Sequence, residues 1–373
     1  MTDRRRVGLL FGGQSVEHEV SVDSARSVAA AMRPSRLECV PIGVTGDGRW
    51  LSPELSQSFL DGDAARVEPT QQPCDTGRIV IDPGGGRLLR LGPGAGPQPL
   101  ELDVVFPLIH GWGGEDGRVQ GALDLAAIPY VGAGVCASAV AMDKVLARQL
   151  TDSQGLPSVR WIACDASSYR RAADALHRRV TAELEFPVFV KPANGGSSVG
   201  VSRVESEGDL SAAVREAFDC DGKVIVEQGL DAREIECAVV GNDQPEASVL
   251  GEIIPSREFY DYQAKYEDDT SELKIPADLE PDTAQAIRAH ALAAFSSLTL
   301  SGMARVDFLI DRSNGQVYLN EVNTLPGFTS ISMFPKLWEA TGLPYPSLVE
   351  RLVDLALQRR GAEQSHRRVR CRG

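Results

Sequence analysis

Residues 304–322 place the tightest limit on what this chain can fold into. Ala304, Val306, Phe308 and Ile310 alternate with polar or outward neighbours, Ser313-Asn314-Gly315 interrupts, and a second strand-like run follows. Period-two alternation on both sides of an Asn-Gly turn predicts an antiparallel hairpin. With a three-residue loop at 313–315, Arg312 faces Gln316, Asp307 faces Glu321 and Arg305 faces Asn323. Side chains two apart share one face of a strand, so Arg305, Asp307, Glu321 and Asn323 converge. Two carboxylates and an amide oxygen suit a hard cation such as Mg²⁺ carrying nucleotide phosphates. Arg305 beside them suits an anionic phosphoryl or acyl oxygen. A bulge would shift this register by one residue, and a solvated cross-strand ion pair would use the same side chains. The apolar alternate positions and the run on to Gly327 favour a built site.

The rest of the 373-residue chain reads as an α/β protein of two or three domains. Apolar runs at 7–11, 39–44 and 104–109 predict parallel strands, with a helix at 22–32 between the first two. Residues 50–100 are rich in Gly and Pro and predict loops with a short hairpin at 87–91. One long helix is expected over 137–153, then strands at 187–191 and 199–204 around a Gly/Ser loop, a helix at 210–218 and a strand at 223–227. Strands at 234–240 and 249–254, a polar loop to about 274, a helix at 283–298 and a last helix at 345–358 complete the pattern. The basic stretch after Gly361 has no periodicity and predicts a disordered tail.

Three loops sit where strands end. Lys191-Pro192-Ala193-Asn194-Gly195-Gly196-Ser197-Ser198 offers backbone N–H groups, hydroxyls and one point charge to a phosphate. It is not a Walker A loop, since the lysine precedes the glycines; an ordinary turn would use the same residues. His110-Gly111 with Gly114-Glu115-Asp116-Gly117 follows one parallel strand, and Gly12-Gly13 with Glu17-His18-Glu19 follows another, so both can line one crevice. Glu115 and Asp116 also read as acids favoured at a helix start. Gly132-Ala133-Gly134-Val135-Cys136-Ala137 mimics a dinucleotide fingerprint, but no acidic strand end follows at the right distance, so it reads as helix-start packing.

A net charge of −14 argues against nucleic acid and anionic membranes as partners. Seven scattered cysteines without a C-x-x-C pair fit a reduced cytoplasmic protein better than a disulfide framework or zinc site. Arg4-Arg5-Arg6 and the short apolar run after it are cut by Gly12-Gly13, too early for a signal peptide. No stretch reaches the ~20 apolar residues of a membrane span.

Taken in order, Gly12-Gly13-Gln14-Ser15-Val16-Glu17-His18-Glu19-Val20-Ser21, His110-Gly111 with Gly114 to Gly117, Ala137-Ser138-Ala139 with Met142-Asp143-Lys144, Lys191-Pro192 with Gly196 to Gly200, Phe259 to Tyr262 with Ala264-Lys265-Tyr266, and Asn320 to Gly327 resemble the D-alanine–D-alanine ligase family. The resemblance runs from residue 7 to about 358. It implies an ATP-grasp fold with an N-terminal Rossmann-like parallel-sheet domain, and limits of 1–133, 134–227 and 228–360. It implies ATP-dependent joining of two D-alanines through a D-alanyl phosphate, for peptidoglycan precursors. The cofactors implied are ATP and Mg²⁺, with Mn²⁺ able to substitute, and the assembly implied is a homodimer.

By position, Lys144 and Lys191 match phosphate-contacting lysines, Ser197 and Ser198 a lid, and Glu227, Gln228, Leu230 and Glu234 an adenine- and ribose-binding run. Lys265 matches a terminal-phosphate contact, and Asn320 lies with the nucleotide. Asp307, Glu321 and Asn323 match metal ligands; Arg305 and the Gly327 N–H match an oxyanion site. The resemblance gives Glu19 the first substrate's ammonium, places His110 near its carboxylate, and sets Ser332 and Met333 against the second D-alanine. Glu19, Ser197 and Tyr266 match a hydrogen-bonded group orienting a mobile loop. Gln263 stands where Glu is frequent and Gly195 where a bulkier residue is usual. The Thr324 to Ser330 run also occurs in ligases that make D-alanyl-D-lactate or D-alanyl-D-serine, so the loop around Tyr266 has to separate the acceptors.

Overall fold

The computed structural model describes residues 4–62, 77–83, 85–92, 95–254 and 272–370. β1 (Arg5–Gly12) leads into α1 (His18–Met32), and β2 (Leu37–Val44) returns parallel to β1. Next come α2 (Pro53–Asp61), then β3 (Arg78–Asp82), β4 (Arg87–Gly92) and β5 (Ala95–Leu100) as a separate antiparallel sheet. β6 (Val104–Pro107) joins β1 on its other side, giving a parallel sheet of order β2-β1-β6, and α3 (Arg118–Leu125) follows. β1 is apolar from Val7 onward because both its faces are covered there: Val7, Leu9 and Phe11 enter one core, and Leu10 enters another with Ile42 and Val105. Loops with a short hairpin were expected over 50–100, and this is corrected. Pro53 opens a helix from a position with no intrahelical N–H to lose. Ile79, Leu88 and Leu100 seal the second core, while Pro83, Gly85 and Gly86 lie in the turn between β3 and β4.

The single helix expected over 137–153 is two, α4 (Val135–Met142) and α5 (Lys144–Ser153). Asp143 leaves helical geometry, and its Oδ1 accepts the N–H groups of Val145 and Leu146, each at 3.1 Å. Such an N-cap satisfies orphan donors and starts a new helix. β7 (Trp161–Asp165), α6 (Ala166–Arg171), α7 (Ala173–Glu183), β8 (Val188–Pro192), β9 (Ser202–Val204), α8 (Glu207–Cys220) and β10 (Lys223–Gln228) build an antiparallel sheet of order β7-β10-β8-β9. β9 is shorter than the expected 199–204 because left-handed turns at Ser197, Ser198 and Gly200 occupy its approach.

β11 (Ala232–Gly241), β12 (Glu246–Ile254), β13 (Glu272–Lys274), α9 (Pro281–Ser297), β14 (Gly302–Asp311) and β15 (Val317–Asn323) form the third unit, an antiparallel sheet of order β13-β12-β11-β14-β15 with α9 on one face. Ala137 and Ala141 of α4 share that face's core with Ile287, Phe295, Val306 and Phe308, so α4 packs with this sheet although it precedes the central one. On the other face, Ala238 and Val240 meet α10 (Met333–Thr341), α11 (Tyr345–Arg370) and Val7, Leu9 and Phe11 of β1 in one continuous core. Phe328 packs edge-to-face on Phe106, ring centroids 5.5 Å apart, which anchors the segment after β15 against the parallel sheet. α11 continues past Gly361, where a disordered tail was expected. Arg359 and Arg360 pair with Glu363 along the helix, and Arg359 also donates to Tyr130 O at 3.0 Å and Ser301 Oγ at 2.9 Å.

Candidate active site

Asp307 faces Glu321 and Arg305 faces Asn323, as expected, but the hairpin arrives there differently. Asp311 N–H bonds Gln316 O at 2.9 Å, so the loop is 312–315 and Arg312 does not face Gln316. Phe308 then faces Leu319 and Ile310 faces Val317, one step out of the expected register. Asn320 is left unpaired as a bulge, which restores the pairing at Glu321.

The Arg305 guanidinium meets Asp307 through two bonds of 2.8 Å each and reaches Glu236 Oε2 at 3.0 Å. Burial works against its charge, but Asp307 and Glu236 outweigh that and hold its pKa well above the usual arginine value. Asn323 Nδ2 donates to Asp307 Oδ2 at 2.9 Å. A carboxylate has about four lone-pair sites, so Asp307 keeps acceptor capacity for a cation. Among the described residues no three His, Cys, Asp or Glu side chains group as a metal cage. Two carboxylates and an amide fit a divalent ion that completes its shell with phosphate oxygens and water.

Across the cleft, β8 and β10 bring Lys191 Nζ to Glu227 Oε2 at 2.6 Å, and Arg148 of α5 meets Glu227 Oε1 at 2.8 Å. Burial would raise the Glu227 pKa, yet the two cations pull it down to about 2. Lys144, at the start of α5, donates from Nζ to Gly195 O at 2.8 Å. The loop beyond carries Ser197 and Ser198 at φ +48° and +59°, sparsely populated values for residues with a Cβ. Ser197 Oγ is buried with no hydrogen-bond partner among the described residues.

The third wall comes from the loops after β1 and β6. Glu17 is buried at the start of α1, and a methyl on Gly111 or Gly196 would lie 2.7 Å or 3.0 Å from its Oε2. Glu19 sits on the exposed rim. Of the two acids, Glu17 is the buried one and Glu19, expected at the substrate ammonium, is exposed, because α1 begins at His18 and turns it outward. His110 is buried, with Nδ1 on Leu325 O at 2.9 Å and Nε2 on Ser24 Oγ at 3.0 Å. Its pKa is lowered by burial, which outweighs the pull of Glu17, and since a carbonyl oxygen can only accept, Nδ1 donates to Leu325 O. Both nitrogens are thus committed to the protein.

Glu19, His110, Lys144, Lys191, Ser197, Ser198, Glu227, Gln228, Leu230, Glu234, Arg305, Asp307, Asn320, Glu321, Asn323, Gly327, Ser332 and Met333 all line one cleft of about 1610 Å³. Lys265 and Tyr266 lie outside the described residues. Glu17, Glu115 and Glu236 also line this cleft and were missed as site residues, while Arg148 was missed as the second partner of Glu227. Glu17 and Glu115 stood inside recognised motifs; an arginine on an amphipathic helix gives no signal.

A cleft held between two antiparallel sheets, with a parallel-sheet unit as its third wall, defines the ATP-grasp class. Residues 6–133 match the model for the D-ala D-ala ligase N-terminus and residues 150–354 that for its C-terminus, and the chain belongs to this family. The D-alanine--D-alanine ligase of Geobacillus kaustophilus is 45% identical over 97% of both chains. The structure of the D-alanine-D-alanine ligase from Coxiella burnetii superposes with a TM-score of 0.83, 34% identity and full coverage of both chains. VanG D-Ala:D-Ser ligase from Enterococcus faecalis gives 0.80 at 32% identity, covering 95% of this chain and 99% of its own. Among the described residues no helix is long and apolar enough to cross a membrane.

Proposed function

We propose that this chain is an ATP-dependent ligase joining two D-alanines into D-alanyl-D-alanine for peptidoglycan precursors. The observation that carries the reading is the single cleft in which Arg305, Asp307, Glu321 and Asn323 face Lys144 and Lys191, in a chain aligned end to end with ligases of that name. We keep 1–133, 134–227 and 228–360 as its domains, cytoplasmic and homodimeric.

The carboxylate of the first D-alanine attacks the γ-phosphorus of ATP and ADP leaves, giving an acyl phosphate. The amine of the second D-alanine attacks the acyl carbon, and phosphate leaves. Lys144 and Lys191 hold phosphate oxygens as point charges. Glu227 holds Lys191 in place, while Gln228, Leu230 and Glu234 receive adenine and ribose. Asp307, Glu321 and Asn323 would hold Mg²⁺, or Mn²⁺ in its place; Asn320 lies beside the phosphates. When bound, that ion neutralises phosphate charge. Arg305 and the Gly327 N–H stabilise the tetrahedral oxyanion. The ammonium of the first substrate falls to Glu17 in place of Glu19, because Glu17 is the acid enclosed by Gly111 and Gly196. His110 holds the Leu325 turn near the substrate carboxylate. Ser332 and Met333 meet the second D-alanine. The family resemblance assigns Lys265 to the terminal phosphate and Tyr266 to a hydrogen-bonded group with Ser197 that orients the loop over the acceptor, which would exclude water.

The test is ADP release with ATP and D-alanine, with the dipeptide identified as product. D-Alanine is preferred over D-lactate and D-serine at neutral pH, and Tyr266→Phe shifts competition toward the hydroxyl acceptor by about tenfold, the worth of one hydrogen bond. A wild type that makes mainly ester or D-serine product would move the chain to that branch of the family.

A further inference from the structure

Leu325 lies two residues before the N–H assigned to the oxyanion, and both its backbone groups are held from the far side of the cleft. Its N–H donates to Glu115 Oε1 at 2.7 Å, and its carbonyl accepts from His110 Nδ1 at 2.9 Å. The other Glu115 oxygen accepts from Gly111 N–H at 2.9 Å. Glu115 is not an acid at a helix start. Asp116 takes that place, accepting from Gly113 N–H at 2.8 Å and Arg118 N–H at 3.2 Å. The loop bearing Glu115 has no slack: a methyl on Gly114 would lie 1.8 Å from Ile109 O. After Leu325, Pro326 fixes its own φ and restricts Leu325, so the Pro326 ψ is the one soft torsion left between the held Leu325 backbone and the Gly327 N–H.

We propose that Glu115 is a positioning residue for the oxyanion step: bridging the N–H groups of Gly111 and Leu325, it aims the Gly327 N–H. This rests on the ligase reading above. The chemistry explains the residue type. Two N–H donors converge, and a carboxyl group offers two acceptor oxygens; glutamine offers one and turns a donor at the other N–H. Burial, with Glu17 nearby, pushes the Glu115 carboxyl up to about 8, while the N–H groups of Gly111 and Leu325 pull the other way by favouring the ionised form, in which both oxygens accept.

The experiment compares wild type, Glu115→Gln and Glu115→Asp in steady-state ADP release with ATP and D-alanine, with amide hydrogen exchange on the same proteins. Loss of a group that acts only in the transition state lowers kcat and leaves KM for ATP unchanged. Glu115→Gln is expected to lose about 10- to 100-fold in kcat, the scale of weakening one oxyanion donor. Glu115→Asp, with both oxygens on a shorter stem, recovers several-fold of that loss. Exchange at the Leu325 and Gly327 amides speeds up in the Gln variant, while β1 amides are unchanged. A folded Gln variant with wild-type kcat, or one in which KM for ATP rises instead, overturns the proposal. If the Gln variant does not fold, the Asp variant decides: lower kcat at constant KM supports positioning, and a lower Tm with unchanged kcat overturns it. If wild type releases no ADP with D-alanine, the ligase reading fails by itself, and exchange at Leu325 still reports whether Glu115 holds the turn.

Discussion

Arg305, Asp307, Glu321 and Asn323 are carried by backbone hydrogen-bonded along a ladder, whereas Ser197 and Ser198 are carried by a turn at φ +48° and +59°. On the strands, alternation aims the side chains without strain, and pairing locks them. On the loop, the side chains reach the cleft through conformations that cost about 1–3 kcal/mol each outside glycine. The strand wall is thus suited to chemistry that tolerates no displacement, and the loop wall to closing and opening.

The largest expected effect tests the strand wall. Glu321→Gln removes one anionic ligand and lowers kcat by more than about 10²-fold while Tm stays near wild type. Near-normal turnover at low Mg²⁺ would show that the loop wall carries the phosphate charge and would break the comparison. Next is Arg148→Met, which leaves Glu227 buried with one cation instead of two. It destabilises by about 3 kcal/mol in urea unfolding, and an unchanged midpoint would mean Lys191 alone suffices.

pH separates two buried acids, one in each kind of setting. The Glu227 pKa falls from 4.5 to about 2 on folding, so its stabilisation is complete above 4.5 and is lost as pH falls toward 2. That of Glu115 rises from 4.5 to about 8, so its contribution is complete below 4.5 and is lost as pH climbs through 8. Urea midpoints from pH 3 to 9 should lose the acid limb in Glu227→Gln and the alkaline limb in Glu115→Gln. The smallest effect is Ser198→Gly. Relief of its left-handed backbone should raise stability by about 0.5–1 kcal/mol, visible as a higher Tm. A fall would mean the Ser198 side chain anchors the turn.

The same contrast explains what the sequence made legible. The face bearing Arg305 and Asp307 was readable because strands have period two and Asn314-Gly315 marks the turn. The parallel strands were readable because burial on both sides leaves continuous apolar runs. Asn320 gave no warning of a bulge, since an unpaired residue looks like any other in a short strand. The choice between Glu17 and Glu19 depended on where α1 starts, and helix starts are poorly marked when no Ser, Thr, Asp or Asn caps them; Glu17 holds that place without a side-chain cap. Arg148 and Glu115 owe their importance to partners distant in the chain, Glu227 and Leu325, which local pattern does not encode.

The bulge at Asn320 also bears on how such a hairpin can vary in length. Between Asp307 and Glu321 the chain spends one residue on the bulge and residues 312–315 on the tip. A sequence with one residue fewer could keep a tip of the same size by closing the bulge, and Asp307 would still stand opposite Glu321. What would disappear is position 320 itself, the extra residue that lets two neighbours on one strand oppose a single partner. The hairpin therefore absorbs a one-residue deletion without moving Arg305, Asp307, Glu321 or Asn323, and the deletion is recorded as a missing amide on the cleft wall.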